Sequence, residues 1–233
     1  MNSKNSENLS QTADSRAYQE PFEKERAAIL AAALDAAPFE GFTSLSVKRA
    51  AAAAGVSPAA SAAAFPRGAI DLVEYWSHEA DEAAAAALRT EDAQSLKIRE
   101  KVVLGVESRL DYLSPHKEAA RRAAAFLALP QNAPTGARLT WRSADTIWRA
   151  MKDPSTDFNF YSKRAILSGV LTSTFARWMS DDSEDRTATR EFLKARIDNV
   201  MQFEKLKAKV RDKGFDPEGM FGWLAKLRYP EKN

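Results

Sequence analysis

Apolar residues recur every three or four positions along most of this chain, which is the spacing of an amphipathic α-helix. In the first segment, Ile29, Leu30, Ala33 and Leu34 follow this spacing. The alternation of β-branched and polar residues that marks a strand is missing, and Gly and Pro fall between the periodic segments. The pattern predicts an all-α helical bundle. The predicted helices cover residues 22–37, 45–53, 58–64, 68–89, 94–113, 115–128, 134–151, 157–179, 185–210 and 217–228.

Capping residues define the ends of the first three predicted helices. Pro38 is predicted to end the first helix, because proline lacks the backbone N–H that continues one. Thr43 or Ser44 can cap the second helix, and Ser57 is predicted to cap the third, with Pro58 at its first position. These signals predict three helices joined by short turns.

The order of helices and turns in this region resembles the helix-turn-helix of TetR-type regulators. The resemblance depends on Gly41-Phe42, on the turn from Ala54 to Ser57 and on the break at Phe65-Pro66. The helix over 58–64 would be the recognition helix, yet it contains no Lys, Arg, Asn, Gln or Tyr that could contact base edges. We therefore expect a degenerate motif and no nucleic-acid partner.

Three cations flank the predicted recognition helix, namely Lys48, Arg49 and Arg67. A specific DNA-binding protein makes roughly 6–10 phosphate contacts, so three cations are few. The formal net charge of +2 adds no strongly basic character to the chain. A TetR-like, ligand-responsive transcriptional regulator nevertheless stays as the alternative hypothesis.

Composition limits the chemistry available to the chain. It contains no cysteine, which excludes disulfides and thiolate metal sites, and only two histidines, His78 and His116. Glu74 and His78 share a helix face and could hold one metal, but the Glu-x-x-His element of di-iron bundles does not occur. Common catalytic motifs are also missing. We predict no enzyme, no cofactor and no metal site, with a metal enzyme at Glu74 and His78 as a third hypothesis.

Several segments in unbroken order resemble the Coq-nine family of ubiquinone (coenzyme Q) biosynthesis proteins, and the resemblance covers residues 26–209. The segments are 64–78, 129–134, 141–148, 155–164, 181–185 and 196–201. The resemblance implies a TetR-like fold that has lost its role in transcription. It also implies a non-catalytic protein that binds isoprenoid or phospholipid, sits on membranes and presents quinone intermediates to the demethoxyubiquinone hydroxylase.

The same resemblance implies a surface patch that contacts the hydroxylase. The matching positions in this chain are Asp157, Phe160, Tyr161 and Arg164. Phe160 stands where the family is expected to have tryptophan, so the apolar ring is kept and the indole N–H is lost. Ser155 or Thr156 can cap the helix that carries these residues.

Large apolar residues on the predicted bundle helices are candidates for a lipid-binding pocket. Each buried CH₂ group of a lipid would contribute about 0.8 kcal/mol. The same residues could instead form an ordinary core. The candidates are Leu104, Phe126, Leu139, Trp141, Ile147, Trp148, Ile166, Leu167, Val170 and Phe175.

The C-terminal tail is predicted to form an amphipathic helix that lies on a membrane surface. Aromatic and aliphatic residues fall on one side of it, next to basic residues that suit anionic lipid. A helix docked on the protein's own core is the alternative. The predicted membrane-binding residues are Met220, Phe221, Trp223, Leu224, Lys226, Leu227 and Arg228.

These patterns divide the chain into a disordered tail (1–20), a helix-turn-helix-like region (21–77), a lipid-binding bundle (78–210) and the amphipathic tail (211–233). The N-terminal segment has neither the apolar stretch of a secretory signal nor the Arg-rich character of a mitochondrial presequence. We therefore expect a cytoplasmic protein, peripheral at a bacterial inner membrane. The two long helices over 158–179 and 185–210 would form the interface of a homodimer, as in TetR-like proteins.

Overall fold

The computed structural model describes residues 22–154 and 157–212. Within these ranges every regular element is helical, which confirms the predicted all-α fold. Two 3₁₀ turns, Ser114–His116 and Glu184–Arg186, precede α7 and α10. The helices are α1 (Glu23–Glu40), α2 (Ser44–Ala53), α3 (Pro58–Ala64), α4 (Ala69–Arg89), α5 (Glu91–Ser95), α6 (Ile98–Leu113), α7 (Lys117–Leu127), α8 (Ala133–Ala150), α9 (Asp157–Met179) and α10 (Thr187–Asp212).

The predicted caps of α2 and α3 are confirmed. The Thr43 hydroxyl accepts a hydrogen bond from the Ser46 backbone N–H at 3.0 Å, and the Ser46 hydroxyl accepts one from the Thr43 N–H at 2.8 Å. Ser57 accepts from the Ala60 N–H at 3.2 Å, and Pro58 occupies the first position of α3. These bonds satisfy backbone donors that the first turn of a helix leaves unpaired.

Two predicted helix boundaries are wrong. Pro38 lies inside α1, which continues to Glu40 and is capped by Gly41, where φ is +62°. A proline so close to the end removes only one backbone bond of the last turn, and glycine adopts the left-handed region without strain. The predicted helix 94–113 is broken in two by Leu96 and Lys97, which have extended backbone conformations. The Glu100 carboxylate accepts from the Lys97 N–H at 2.9 Å and starts α6 there.

Backbone contacts divide the chain into two compact units, one that ends at Ser180 and one that begins at Asp181. In the first unit α4 packs against α6 and α8, and α9 packs against α8. Gly105 of α6 permits this close packing, because a Cβ there would lie 3.0 Å from Leu88 Cδ1 and 3.3 Å from Ile147 Cγ2. The predicted domain boundary between residues 77 and 78 falls inside α4.

In the second unit, Asp181 holds the start of α10. Its carboxylate accepts from the N–H and hydroxyl of Ser183 at 2.9 and 2.5 Å, and from those of Thr189 at 2.7 and 2.5 Å. The hydrogen bonds from Ser183 and Thr189 hold the pKa of Asp181 well below its usual range. Asp181 is therefore a charged cap for the helix.

The predicted N-terminal and C-terminal tails lie outside the described residues, apart from the last two positions of α10. Among the described helices, none is long and apolar enough to cross a membrane.

Candidate functional site

A cavity of about 430 Å³ lies in the first unit, surrounded by α4, α6, α7, α8 and α9. Its volume is within the range of small-molecule binding sites, roughly 300–1,000 Å³. Most of its wall is aliphatic or aromatic. The larger apolar residues of the wall are Val73, Trp76, Val106, Leu110, Leu113, Leu127, Leu139, Leu171 and Phe175.

Small residues on α7 and α8 make room for the cavity. Alanine carries no side-chain atom beyond Cβ, so two helices that face each other through alanine and glycine leave unfilled space between them. Ala128, Ala133 and Ala137 are solvent-exposed and also belong to the wall, which places an opening of the cavity beside the α7–α8 connection. The small residues of the wall are Ala120, Ala123, Ala124, Ala128, Ala133, Gly136 and Ala137.

A single charged residue, Arg109 of α6, contributes to the wall. Its Nε donates to Asp81 Oδ1 at 2.8 Å, and its Nη2 donates to the hydroxyl oxygen of Ser77 at 3.0 Å. The Asp81 side chain is only 1% exposed, so the carboxylate and the guanidinium form a buried ion pair. Ser77 also belongs to the wall. The α4–α6 side of the cavity is therefore polar, and the positive charge of Arg109 is balanced by Asp81.

Two of the ten predicted lipid-binding residues, Leu139 and Phe175, line this cavity. Ile147, Leu167 and Val170 are buried elsewhere in the core. The Phe126 ring packs against Phe42, with ring centres 6.4 Å apart. The other predicted residues that lie outside the wall are Leu104, Trp141, Trp148 and Ile166.

Most of the wall was not predicted from the sequence, because the predicted residues were all large and apolar. Those residues fill space, whereas a cavity forms where the side chains are small. The alanine-rich stretches at 119–125 and 133–137 were the available signal, since they lie on two neighbouring helices.

The predicted partner patch is placed on α9, with Tyr161 as its exposed member. The Tyr161 side chain is 63% exposed, and its ring centre lies 5.2 Å from that of Phe160 and 6.3 Å from that of Trp141. The side chain of Asp157, a further predicted member of the patch, lies outside the part of the chain that the structure describes. Tyr161, Phe160 and Trp141 thus form an aromatic ridge on the α8–α9 surface.

Arg164 does not belong to the surface of this patch, contrary to the prediction. It is 2% exposed, its Nε donates to Asp145 Oδ1 at 2.6 Å, and its guanidinium carbon lies 3.3 Å from the centre of the Phe160 ring. A paired, stacked guanidinium in this position supports the Phe160 ring from inside.

The helix-turn-helix-like region presents few groups that could read DNA. Ala59, Ala62 and Ala63 of α3 are exposed, whereas Ser61, the polar side chain of this helix, is 8% exposed and buried. The exposed face of α3 therefore consists of methyl groups beside Pro58.

The cations near α3 are largely paired with carboxylates. Arg49 lies 3.2 Å from Glu40, and Arg67 lies 2.5 Å from Asp71 and 3.0 Å from Glu74. The paired carboxylates raise the pKa of Arg67, with the hydrogen bond to Asp71 as the largest cause. Each pair reduces the positive potential that a phosphate backbone would meet.

The carboxylate of Glu74 is also occupied by cations. One of its oxygens pairs with Arg67 and the other with Arg138 of α8. His78 is exposed on the same helix. Within residues 22–154 and 157–212, no group of three or more acidic or histidine side chains is placed to hold a metal ion.

Comparison with known proteins gives a match to one family model. The COQ9 family model matches residues 133–204, which include α8 and α9. This part of the chain is similar to the COQ9 family domain. The resemblance expected from the sequence is confirmed by this match and by curated COQ9 relatives over 80% of the chain.

Curated relatives extend the match beyond the family domain. The chain is 32% identical over 193 residues to "Ubiquinone biosynthesis protein COQ9, mitochondrial" of Rattus norvegicus, and 31% identical over 193 residues to the Homo sapiens protein of the same name. These alignments cover 80% of this chain and 62% and 60% of the two relatives. The chain thus spans about three fifths of the length of the relatives it matches. The names of these relatives give them a role in ubiquinone biosynthesis.

The names of these relatives also correct the predicted location. The Rattus norvegicus, Homo sapiens and Bos taurus proteins are named as mitochondrial. The prediction of a cytoplasmic protein at a bacterial inner membrane is wrong on this finding.

A solved structure confirms the TetR-like fold. The crystal structure of the TetR transcriptional regulator from Nitrosomonas europaea ATCC 19718 matches with a TM-score of 0.64 and 20% sequence identity. The match covers 76% of this chain and 98% of the regulator. At this identity the similarity concerns the fold alone.

Proposed function

We propose that this protein is a non-catalytic accessory protein of ubiquinone biosynthesis. It binds an isoprenoid quinone, or a phospholipid, in the cavity between α4 and α6–α9, and it presents quinone intermediates to the demethoxyubiquinone hydroxylase. The observation that carries the proposal is the apolar cavity of about 430 Å³. The named role of the COQ9 relatives supports the choice of pathway.

The wall of the cavity suits a hydrocarbon chain. Leu110, Leu113 and Leu171 supply apolar surface, and the alanines of α7 and α8 leave space beside them. Each CH₂ group transferred from water into such a site contributes about 0.8 kcal/mol. A prenyl tail therefore has a favourable path from the opening beside the α7–α8 connection into the cavity.

The aromatic ridge of Trp141, Phe160 and Tyr161 is the proposed contact for the hydroxylase. Exposed aromatic side chains held rigidly by their neighbours are common anchors of protein interfaces. Arg164 and Asp145 hold Phe160 from below, and Tyr161 is accessible at 63% exposure. The ridge lies on α8 and α9, two of the helices that surround the cavity.

Two further parts of the proposal come from the sequence. The amphipathic C-terminal helix, with Trp223 and Leu227 on one side, would bring the opening of the cavity to a membrane surface. A homodimer formed through the helices of the C-terminal half would place two cavities on one particle.

Lipid binding is tested by titration of delipidated full-length protein with a ubiquinone that carries a short isoprenoid tail. Quenching of tryptophan fluorescence reports binding, since Trp76 belongs to the cavity wall. We expect saturable binding at one quinone per chain. Delipidated, folded protein that binds neither this quinone nor a phospholipid would contradict the proposal.

The partner contact is tested separately with Tyr161→Ala. This change should weaken binding of the purified hydroxylase in a pull-down or by interferometry, while quinone binding stays unchanged. Tyr112→Ala is the matched control, because Tyr112 is also partly exposed, at 36%, and lies on α6 away from the family domain. Equal hydroxylase binding by both variants and the wild type would contradict the proposed contact.

A further inference from the structure

We propose that Ser77 and Arg109 form a head-group site that binds a carbonyl oxygen of the quinone ring, and that this site makes the cavity selective for a neutral quinone. The inference rests on the proposed function, because it requires a lipid in the cavity. It assigns the α4–α6 side of the cavity to the ring and the alanine-rich side on α7 and α8 to the tail.

The Arg109 guanidinium keeps one donor group unused. Its Nε and Nη2 donate to Asp81 and Ser77, while its Nη1 donates to no acceptor in the part of the chain that the structure describes. Arg109 is held at 15% side-chain exposure and belongs to the cavity wall. An N–H group at the wall of an apolar cavity that donates to no protein acceptor can bind a ligand that brings one.

The Ser77 hydroxyl provides a second donor next to the first. Its oxygen accepts from Arg109 Nη2 at 3.0 Å, and its hydrogen has no acceptor among the described residues. Accepting this bond fixes the oxygen beside the guanidinium. The hydroxyl hydrogen is then free to turn toward a ligand in the cavity.

The other hydroxyls of the wall are committed to their own helices, which makes Ser77 exceptional. Thr140 donates to the Gly136 carbonyl at 3.0 Å, Ser143 to the Leu139 carbonyl at 3.1 Å and Thr172 to the Ser168 carbonyl at 2.9 Å. These three groups offer no hydrogen to a ligand in this arrangement. The donors available to a ligand are therefore concentrated at Ser77 and Arg109.

The charge balance of the site favours a neutral ligand over an anion. The buried carboxylate of Asp81 compensates the Arg109 cation at 2.8 Å. Arg142 also approaches Asp81, at 3.8 Å, but its side chain is 41% exposed and it does not belong to the wall. A phosphate placed at Arg109 would face the Asp81 carboxylate, whereas a quinone oxygen accepts hydrogen bonds without that repulsion.

The test compares three ligands on full-length protein: a short-chain ubiquinone, a prenyl hydrocarbon of the same tail length, and a zwitterionic phospholipid. Ser77→Ala removes the hydroxyl, and Arg109→Lys keeps the charge for Asp81 while it removes the forked guanidinium. Ser173→Ala is the matched control, because it removes a hydroxyl of α9 that lies outside the wall and donates to the Gly169 carbonyl of its own helix at 2.8 Å. Circular dichroism confirms that each variant is folded.

We expect Ser77→Ala and Arg109→Lys each to weaken quinone binding roughly fivefold to tenfold, the effect of one hydrogen bond. Hydrocarbon binding should change less than about twofold, as should quinone binding by Ser173→Ala. Wild-type protein that binds the hydrocarbon as tightly as the quinone would overturn the head-group site while lipid binding stands. A loss confined to phospholipid would also overturn it, and absence of binding by every ligand would overturn the proposed function as well.

Discussion

Alanine has opposite consequences in the two halves of the first unit. On α3, Ala59, Ala62 and Ala63 face solvent and leave a recognition helix without side chains that could read a base. On α7, alanines such as Ala120 and Ala124 face inward and leave a cavity. The same residue leaves a surface of methyl groups in one place and an unfilled space in the other, so the direction it faces matters more than how often it occurs.

Charged residues differ between the two regions in the same way. Arg49, near α3, pairs with Glu40 at the surface, where its side chain is 61% exposed. Arg109 pairs with Asp81 in the interior and keeps a donor group for the cavity. The ion pair near α3 is therefore exposed to solvent, while the bundle holds a buried ion pair beside its cavity.

The largest expected effect concerns stability. Arg109→Leu leaves the Asp81 carboxylate buried with its closest partner removed, and we expect the free energy of unfolding to fall by about 3–5 kcal/mol. The matched change Arg49→Leu breaks an exposed pair and should cost at most about 1 kcal/mol. Urea denaturation of both variants measures the difference. Equal losses would show that the two pairs do not differ as we argue.

The second prediction fills the cavity. Ala124→Leu should weaken quinone binding about tenfold or more, equivalent to 1.4 kcal/mol, because the new side chain occupies space that the ligand needs. Ala63→Leu makes the same substitution on the exposed face of α3. It should leave quinone binding unchanged in the same fluorescence titration. If Ala124→Leu binds quinone as tightly as the wild type, the quinone does not bind in this cavity.

The third prediction compares two helix caps. Asp181→Asn should lower stability by about 1 kcal/mol at neutral pH, since Asp181 caps α10 as an ion, whereas Ser57→Ala in the helix-turn-helix-like region should cost about 0.5–1 kcal/mol. Of these two contributions to stability, only that of Asp181 should depend on pH. The folded-state pKa of Asp181 is depressed, so its stabilisation is complete above the unfolded pKa of about 4 and is lost as pH falls below it.

Chemical denaturation between pH 7 and pH 3 measures this dependence for α10. The wild type and Ser57→Ala should lose stability in parallel over this range, while Asp181→Asn should show a shallower loss. If stability falls with pH equally steeply in the wild type and in Asp181→Asn, the assignment of Asp181 as a charged cap is contradicted.

The smallest expected effect is on DNA binding. Wild-type protein and the double variant Lys48→Ala, Arg49→Ala should bind duplex DNA equally weakly in fluorescence anisotropy at low salt. The slope of log affinity against log salt should stay near zero, because α3 offers methyl groups and Arg49 is already paired. A slope steeper than about −5, lost in the double variant, would favour the ligand-responsive regulator instead.

Local signals in the sequence predicted much of the fold. Thr43, Ser57 and Pro58 defined helix starts correctly, because capping depends on neighbouring residues alone. The continuation of α1 past Pro38 and the break at Leu96 were not predicted. Each depends on how the stability of one helical turn compares with that of the contacts around it. For this reason the presence of a helix was more predictable than the residue at which it ends.

The cavity was far less predictable than the fold. Periodicity identified Leu139 and Phe175 but also core residues such as Ile147, because a core side chain and a cavity side chain have the same spacing. The ion pair between Asp81 and Arg109 joins residues 28 positions apart on two helices. A pair of this kind appears only when the helices are packed together.

The most direct test of the central claim, that the cavity holds a lipid, is native mass spectrometry of the full-length protein as purified, with solvent extraction of the bound material. We predict a quinone, isoprenoid or phospholipid at close to one molecule per chain, and its loss in Ala124→Leu but not in Ala63→Leu. A lipid-free mass for the wild type, with no uptake of quinone or phospholipid on addition, would contradict the account.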